Sequence, residues 1–348
     1  MTQIERLQSE GVRRVGSPKR GFRYVRSDGR PVARQERERI EALKIPPAWT
    51  DVAISPSVKA KLQAVGKDGA GRWQYRYSEA FSQRRQEAKY RRIVGFARAL
   101  PKIRHRVSAD LRRPGLGRDK VLACMLRILG TCFIRPGSQV YAEENGSFGL
   151  ATLRAKHVKV KGDTVYFDFP GKSGQQQHRE LKDRRVAAVI RQLLKVPGRD
   201  VFKFVLDDGF VVDVRRRHIN EYIREVMGAQ YSAKDFRTWA GTLICACALA
   251  RARQRVKQAA AQGGKTAVKK TVVAAVKEAA EHLGNTPAVA RSSYIYPSVL
   301  AMFEQGKVVG RYFESVEELT NHEGPDLHCS EKSLLNLLKD CAKDTALV

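Results

Sequence analysis

The chain has 348 residues, and 43% of them are hydrophobic, which is enough for a sizeable core and for two domains. Its 65 lysines and arginines against 36 acids give a net charge of +29, so a polyanion is the expected partner: nucleic acid first, an anionic membrane surface second. No apolar run approaches the ~18 residues of a transmembrane helix, so no transmembrane helix is expected.

The N-terminal part of the chain predicts a small mixed domain with several strands. Residues 1–20 are polar and basic, with two glycines and a proline, and predict a loose arm without a signal peptide. Residues 21–32 predict a strand and a turn at 27–29, and residues 33–44 a charged helix stopped by Pro46 and Pro47. In residues 71–80, Trp73, Tyr75 and Tyr77 alternate with polar residues, which is the pattern of a strand.

The rest of the chain predicts a mainly helical body. Residues 82–100 are a very basic helix, suited to connect two domains or to face solvent, and residues 120–135 are apolar nearly all round, as in a core helix. A helix follows through 138–145, then strands at 157–160 and 164–169 with turns at 162–163 and 171–174. Further helices are expected at about 180–195, 214–228, 235–253, 266–283 and 298–307, with a mobile loop at 259–270.

The charge is uneven along the chain. Residues 311–348 hold eight acids and four bases, a net charge of −4, which leaves +33 for residues 1–310. The cationic surface therefore belongs to the body, and the acidic tail is expected to pack as helices or to repel DNA.

The six cysteines suggest neither disulfides nor a metal centre. No Cys-x-x-Cys pair and no Cys/His cluster has the spacing of a zinc site, so no structural metal is expected. Cys124, Cys245 and Cys247 lie in apolar runs, where free thiols act as small core residues. The sequence therefore favours a reduced, cytosolic environment.

Five residues are candidates for chemistry on a phosphate group. Arg135 ends an apolar helix, Lys172 sits in a Gly-Lys-Ser-Gly turn after a strand, and Arg237 opens the helix at 235–253. Asn285 and Tyr294 lie together in the segment 282–299. Each residue type alone is a weak signal, because surface arginines, solvated lysines and packing tyrosines are common.

Two of these residues have alternative interpretations. Arg237, at the rim of a buried helix, could pair with Asp235 instead of facing a phosphate. Lys172 lies in a fragment that resembles a nucleotide-binding P-loop, but that motif needs a glycine where Tyr166 stands, and a hydrophobic helix after the turn. A nucleotide cofactor is therefore not expected.

Taken together and in this order, the residues resemble the type IB DNA topoisomerases of the bacterial and poxvirus kind. The resemblance covers nearly the whole chain. It is carried by the segments IPPAWTDV (45–52), QYRY (74–77), IRPGSQVYAEENGSFGLATL (134–153), PGKSG (170–174), AKDFRTWAGT (233–242) and LGNTPAVARSSYIYP (283–297).

The resemblance implies an α+β fold and a DNA-relaxing activity. A small strand-rich N-terminal domain (1–88) and a larger, mainly helical catalytic domain (89–348) with a β-hairpin sheet would form a C-shaped clamp around duplex DNA. The expected activity is relaxation of supercoiled duplex DNA by a monomer, without ATP, cofactor or metal. The implied location is the cytoplasm, in association with the nucleoid.

The resemblance also implies roles for the five residues. Tyr294 would be the nucleophile and would form a 3′-phosphotyrosyl bond. Arg135, Arg237 and Asn285 would stabilise the transition state, because their planar donors match phosphate oxygens. Asn285 stands where many relatives have histidine. Lys172 would be the general acid that protonates the leaving 5′-oxygen.

Further positions match family residues that support the site or contact DNA. Lys234, three residues before Arg237, is a candidate for supporting the same phosphate. Gln74, Tyr75 and Tyr77 match head-domain positions that contact DNA in relatives, and Tyr141 matches a contact in the major groove.

Three alternatives stay open on the sequence alone. Tyr296 competes with Tyr294, although the family places its nucleophile nine residues after the asparagine or histidine, which selects Tyr294. A tyrosine recombinase uses similar residues, but usually has His-x-x-Arg where this chain has Lys234-x-x-Arg237, and an all-helical head. A non-catalytic DNA-binding protein would use the arginines only as phosphate clamps.

Overall fold

The computed structural model describes residues 1–258, 265–322 and 324–345. The chain forms two compact units that divide between Lys89 and Tyr90. The first unit is built on an antiparallel sheet and the second is mainly helical, so the chain has the α+β fold that the sequence predicts. Each unit has hydrophobic clusters of its own. In the described ranges no helix is long and apolar enough to cross a membrane.

The first unit contains five strands and two complete helices. They are α1 (Gln3–Glu10), β1 (Val12–Ser17), β2 (Gly21–Val25), α2 (Arg34–Ala42), β3 (Thr50–Ile54), β4 (Leu62–Lys67) and β5 (Trp73–Tyr77). The strands form one antiparallel sheet in the order β2-β1-β3-β4-β5. Both faces of this sheet carry buried residues, which is why β4 is buried along almost its whole length. The predictions for residues 21–44 and 71–80 are confirmed, whereas β3 and β4 were not predicted.

Helix α1 and strand β1 occupy the region predicted as a loose arm, so that prediction was wrong. Thr2 caps α1 reciprocally: its hydroxyl accepts a hydrogen bond from the Glu5 amide at 3.2 Å, and the Glu5 carboxylate accepts one from the Thr2 amide at 2.7 Å. Strand β1 pairs with β2 on one side and β3 on the other, with buried Val12 opposite Ile54. Pairing with a strand on each side stabilises β1 although its basic, glycine-containing sequence has a low propensity for strands.

The second unit combines helices with two small antiparallel sheets. Its helices are α3 (Glu79–Asp110), α4 (Arg118–Cys132), α5 (Gln139–Glu144), α6 (Arg184–Leu193), α7 (Arg216–Met227), α8 (Ala233–Gln258), α9 (Lys265–Leu283), α10 (Pro287–Ser293), α11 (Pro297–Glu304), α12 (Val316–Thr320) and α13 (Cys329–Thr345), and the division between the units falls within α3. The strands β6 (Val158–Lys161), β7 (Thr164–Pro170) and β8 (Gln176–Lys182) form one sheet, and β9 (Lys203–Val205) pairs with β10 (Val211–Asp213).

Helices α4 and α8 form the centre of this unit. Both are buried on nearly every side, which confirms the core helix predicted at 120–135 and explains the apolar run after Arg237. Cys124, Cys245 and Cys247 are buried in this core as expected, and burial raises the pKa of the Cys245 and Cys247 thiols to about 12.

Several predicted boundaries were wrong. The helix predicted at 120–135 ends at Cys132, so Arg135 lies beyond it, because Phe133 adopts the left-handed conformation. Helix α3 continues through Pro101, although proline inside a helix costs about 3 kcal/mol, because buried Leu100, Ile103 and Val107 extend one packed face across it. Residues 180–182 belong to β8 and not to the helix predicted at 180–195. That helix starts later because the Asp183 carboxylate caps it. Of the loop predicted at 259–270, residues 259–264 lie outside the described residues and 265–270 belong to α9.

The acidic C-terminal region packs as helices α12 and α13, as predicted. Glu331, in the first turn of α13, is buried, and its carboxylate accepts two hydrogen bonds from Arg104 of α3 at 2.8 Å. It also accepts one from the Trp239 indole of α8 at 2.9 Å. The buried carboxylate therefore ties α13 to α3 and α8.

Candidate active site

Arg237 lies in the first turns of α8 and is only 2% exposed. Its guanidinium donates to the carbonyl of Phe133 and, at 2.8 Å, to the carbonyl of Leu283. Asp235 does not pair with it: that carboxylate accepts from Arg92 at 2.7 Å and from the Ser232 hydroxyl at 2.9 Å. The interpretation of Arg237 as the partner of Asp235 is therefore wrong.

The end of α4 delivers Arg135 to the same place. Phe133 ends the helix in the left-handed region at φ 54°, an unusual conformation for a bulky aromatic residue. The chain then runs on to Arg135, whose guanidinium donates to the Gly284 carbonyl at 3.2 and 3.3 Å and to the side-chain oxygen of Asn285. The left-handed turn thus directs one carbonyl to Arg237 and brings a second arginine beside it.

Three successive carbonyls at the end of α9 each accept from a different arginine. The His282 carbonyl accepts from Arg179 of β8 at 3.2 Å, while the next two accept from Arg237 and Arg135. A helix C-terminus carries partial negative charge, which favours cations there. In the described ranges no carboxylate forms a salt bridge with any of these three arginines. The site therefore concentrates positive charge that protein anions do not neutralise.

Tyr294 completes this group from the end of α10. Its half-buried ring lies under Arg237, with the guanidinium carbon 5.0 Å from the ring centroid, and its backbone carbonyl accepts from the Thr242 hydroxyl at 3.1 Å. Burial alone would raise the pKa of the Tyr294 phenol, but the charge and hydrogen bond of Arg237, with the charges of Arg135 and Lys234, lower it below its ordinary value. Tyr294 therefore loses its phenolic proton more readily than an ordinary tyrosine does.

Burial lowers the pKa of Arg237 to about 10, and the charges of Arg135 and Arg179 act in the same direction. The Arg237 guanidinium still carries its charge at neutral pH. Its desolvation makes the cation a stronger electrostatic partner for an anion placed next to it.

Within the described part of the chain, two buried donors in this group have no acceptor: the Nε of Arg237 and the side-chain nitrogen of Asn285. A buried donor without a partner costs about 1–3 kcal/mol. An anion with several oxygens, such as a phosphodiester, would supply acceptors to both donors and to the guanidinium of Arg135. The arrangement can therefore hold a phosphate beside a phenol of lowered pKa.

The structure brings together Arg135, Arg237, Asn285 and Tyr294 but leaves Lys172 apart. Lys172 is exposed in a short 3-10 turn, Lys172–Gly174, between β7 and β8, and no hydrogen bond or ion pair joins it to the other four in the part of the chain described.

Lys234 is exposed at the start of α8, one turn before Arg237, and its charge acts on Tyr294. The competing tyrosine, Tyr296, precedes α11, and its backbone amide donates to the Thr242 hydroxyl at 3.2 Å.

The residues predicted to contact DNA are spread over both units; Tyr75 and Tyr141 are exposed, and Gln74 and Tyr77 are partly buried. In the first unit, Tyr75 is 44% exposed and its ring stacks on that of Tyr77 at 6.2 Å, while Gln74 donates to Asp68 at 2.8 Å. In the second, Tyr141 of α5 is 54% exposed.

The sequence interpretation missed Arg179 and its neighbour Gln177. Their signal was the alternation along 176–182, in which Gln177, Arg179 and Leu181 share one face of β8.

No group of three or more His, Cys, Asp or Glu side chains that could hold a metal ion occurs among the residues described.

Comparison with known proteins gives the family. The profile of the family described as "Eukaryotic DNA topoisomerase I, catalytic core" matches residues 78–314, and that of "Bacterial DNA topoisomerase IB, N-terminal domain" matches residues 21–68. The DNA topoisomerase 1B of Acanthamoeba polyphaga mimivirus is 32% identical over 309 residues, which are 87% of this chain and 90% of the relative. The chain belongs to the type IB DNA topoisomerases.

Poxvirus type IB topoisomerases are more distant relatives. The DNA topoisomerase I of Monkeypox virus and the DNA topoisomerase 1B of Vaccinia virus are each 25% identical over 270 residues, 76% of this chain and 81% of the relative. A solved structure of the XerH site-specific recombinase bound to its difH substrate aligns with 60% of this chain and 52% of the recombinase chain, at 11% identity. The TM-score is 0.32, and no conclusion is based on this similarity.

The five predicted active-site residues of this topoisomerase all fall inside the range matched by the catalytic core. The three predicted DNA contacts of the first unit, Gln74, Tyr75 and Tyr77, lie between the two matched ranges.

Proposed function

We propose that the chain relaxes supercoiled duplex DNA by cutting and resealing one strand through Tyr294. The observation that carries this proposal is the Tyr294 ring under the buried guanidinium of Arg237, with Arg135 and Asn285 beside it. A phenol of lowered pKa next to cationic donors is the combination that attack on a phosphodiester needs.

In the first step Tyr294 gives its phenolic proton to solvent, its oxygen bonds to phosphorus, and the bond from phosphorus to the 5′-oxygen breaks. The 5′-oxygen leaves with a proton from Lys172, and the 3′-phosphate stays joined to Tyr294. While the strand is open, the duplex beyond the cut rotates and torsion is released. Resealing is the reverse step, and it needs no ATP because the phosphotyrosyl ester replaces the broken ester.

Arg135, Arg237 and Asn285 stabilise the negative charge that develops on the nonbridging oxygens. Two guanidiniums supply planar donors, and the unpaired side-chain nitrogen of Asn285 supplies a neutral one. Removing a donor of this kind costs about 10²–10³ in rate. Because these donors would supply the positive charge that a metal ion supplies in other enzymes, we propose that relaxation needs no divalent metal.

We further propose that the two units close around the duplex as a C-shaped clamp, with the predicted contact residues of both units, Gln74, Tyr75, Tyr77 and Tyr141, on DNA. A monomer suffices for this reaction, because every proposed catalytic group lies in one chain. We also propose that the enzyme is located with the cell's DNA, in the cytoplasm and on the nucleoid.

The test compares Tyr294→Phe with Tyr296→Phe. Relaxation of a supercoiled plasmid is measured in EDTA without ATP. The covalent adduct is trapped with detergent, and the tyrosine that carries the DNA is identified by peptide mapping. Tyr294→Phe should abolish both relaxation and adduct while keeping duplex affinity, because only the phenolic oxygen is removed. Tyr296→Phe should retain both activities.

A relaxing Tyr294→Phe variant beside an inactive Tyr296→Phe variant would move the nucleophile to Tyr296. If the wild-type protein bound DNA but formed no covalent adduct, the chain would be a non-catalytic DNA-binding protein. Strand exchange between paired sites, without relaxation, would identify a recombinase, and loss of wild-type relaxation in EDTA would contradict the metal-free mechanism.

A further inference from the structure

Strand β8 presents two polar side chains to the interior beside the active site. Gln177 is 9% exposed and Arg179 is partly buried, whereas the neighbouring His178 and Glu180 point outward. Pairing with β7 sets Gln177 opposite buried Phe169 and Arg179 opposite buried Phe167. Polar groups in such a position need hydrogen-bond partners, and these partners show what the two side chains do.

Arg179 joins the hairpin strand to the end of α9. One of its terminal nitrogens donates to the His282 carbonyl and to the side-chain oxygen of Gln177, both at 3.2 Å. Burial lowers the pKa of Arg179, and the nearby charge of Arg135 lowers it further. In the described residues this desolvated cation donates to carbonyl and amide oxygens and to no carboxylate. Its position therefore depends on these few hydrogen bonds.

Gln177 fills the space between two glycines, and each glycine directly precedes a proposed catalytic residue. A Cβ on Gly171, before Lys172, would lie 2.7 Å from the Gln177 Cγ. A Cβ on Gly284, before Asn285, would overlap the Gln177 amide oxygen and lie 3.0 Å from its carbon. Gly284 also has φ +58°, so both space and backbone conformation favour glycine there.

We propose that Gln177 and Arg179 are positioning residues, which hold the turn of Lys172 against the segment of Gly284 and Asn285 and so fix the distance from the general acid to the scissile phosphate. The proposal rests on the proposed function, in which Lys172 protonates the leaving 5′-oxygen. Lys172 itself is exposed, and within the described residues no hydrogen bond or ion pair joins it to the other catalytic residues, so its placement depends on how its hairpin is anchored.

The predicted effect is specific to proton donation. A shift of the acid by about 1 Å can cost about 10²-fold in rate. An alkoxide leaving group needs the proton, because its conjugate acid, an alcohol, is about as weak an acid as water. A thiolate leaving group does not, because thiols ionise near pH ~8.5. Replacing the bridging 5′-oxygen by sulfur should therefore remove the need for Lys172 and for its positioning.

The experiment measures single-turnover cleavage of two duplexes that differ only in this bridging atom, placed at a position where wild-type enzyme has been mapped to cleave. The variants are Arg179→Ala and Gln177→Leu, with Lys172→Ala as the reference for a lost acid. Glu180→Ala, an exposed neighbour on the same strand, is the matched control. Arg179→Lys tests whether one donor to the His282 carbonyl restores part of the rate.

We expect Arg179→Ala and Gln177→Leu to slow cleavage of the oxygen duplex by about 10–100-fold. On the sulfur duplex they should cleave within about threefold of wild type, as Lys172→Ala should, because no acid is needed. Glu180→Ala should match wild type on both, and Arg179→Lys should fall between wild type and Arg179→Ala on the oxygen duplex. The ratio of the two rates does not depend on the fraction of folded variant.

Equal slowing of Arg179→Ala and Gln177→Leu on both duplexes would overturn the proposal, since it would place their effect on phosphate binding or on the fold. Failure of sulfur to restore Lys172→Ala, with a wild-type adduct formed, would also overturn it, because Lys172 would not be the acid. Absence of any wild-type adduct would instead refute the proposed function itself.

Discussion

The pKa of Tyr294 is set by a contest between burial and neighbouring cations. Burial favours the neutral phenol, and three positive charges with one hydrogen bond favour the phenolate; the cations prevail, and the pKa lies below the ordinary value of about 10. Two of these cations, Arg135 and Arg237, would also contact the phosphate. Replacing either one would therefore change both the pKa of Tyr294 and the stabilisation of the phosphate. Lys234 is exposed and isolates the electrostatic effect.

Lys234→Gln should move the pH profile of cleavage to higher pH. Attack requires loss of the phenol proton, and removing a cation that lowers the pKa of Tyr294 raises that pKa, so less phenolate is present at neutral pH. The fall in single-turnover rate near neutral pH should be at most about fivefold, because exposed charge pairs contribute about 1 kcal/mol or less. The measurement is cleavage rate against pH at saturating enzyme.

The control is Lys277→Gln on α9, an exposed lysine that lies near Glu281 and is not one of the three cations named above as lowering the pKa of Tyr294. It should leave the profile in place. If Lys234→Gln lowered the rate equally at every pH, or by 100-fold or more, Lys234 would act on the phosphate directly and not through the pKa of Tyr294.

At the scale of elements, helix α8 can approach Tyr294 closely because residue 241 is glycine. A Cβ at Gly241 would lie 2.8 Å from Leu283 Cδ1, 3.0 Å from the Tyr294 carbonyl oxygen and 3.2 Å from the Tyr294 Cβ. The helix therefore packs its backbone against the segment that carries the nucleophile. Gly130 in α4 offers a matched comparison, since a Cβ there would meet nothing within 4 Å.

Gly241→Ala should slow cleavage by about 10²-fold with little change in duplex affinity, because displacement of the phenol by a fraction of an ångström to 1 Å disturbs its attack. Gly130→Ala should keep full activity and stabilise the protein by up to about 1 kcal/mol, the difference in helix propensity. Rates come from single-turnover cleavage and stability from denaturant unfolding. Full activity of Gly241→Ala would show that the close contact is not needed.

Elements whose pattern is local could be predicted from the sequence, and those that depend on distant partners could not. The apolar run of α4 and the alternation of β5 carry their own periodicity. Strand β1 does not, because Val12 gains its buried place only through pairing with β3, while Val15 stays exposed. The end of α3 was misplaced because a local rule for Pro101 yielded to packing across it.

The site was predictable as a set of residue types in order but not as a set of contacts. The order from Arg135 to Tyr294 is visible in the sequence. The convergence of three arginines on the carbonyls of 282–284 depends on how α4, β8 and α8 pack around the end of α9. Arg179 and Gln177 were missed for that reason, since alternation in a polar strand does not show which face is buried.

At the scale of the whole molecule, charge outside the site and charge inside it should respond differently to salt. Residues 1–310 carry +33, mostly on the surface, whereas Arg237 is 2% exposed. Surface cations bind phosphates by releasing counterions, so duplex affinity should fall by about 10³–10⁵ between about 50 and 200 mM salt if six to ten phosphates are contacted. Buried charges are screened much less.

Affinity and chemistry can therefore be separated by one titration. Duplex binding by Tyr294→Phe, which cannot cleave, is measured against salt concentration, and single-turnover cleavage by wild type is measured over the same range with enzyme kept saturating. The expected result is a steep, linear fall of log affinity with log salt and a cleavage rate that stays within about threefold. A shallow binding slope would mean that few of the surface cations meet phosphates. A cleavage rate that fell as steeply as the affinity would mean that the catalytic arginines are open to solvent ions when DNA is bound.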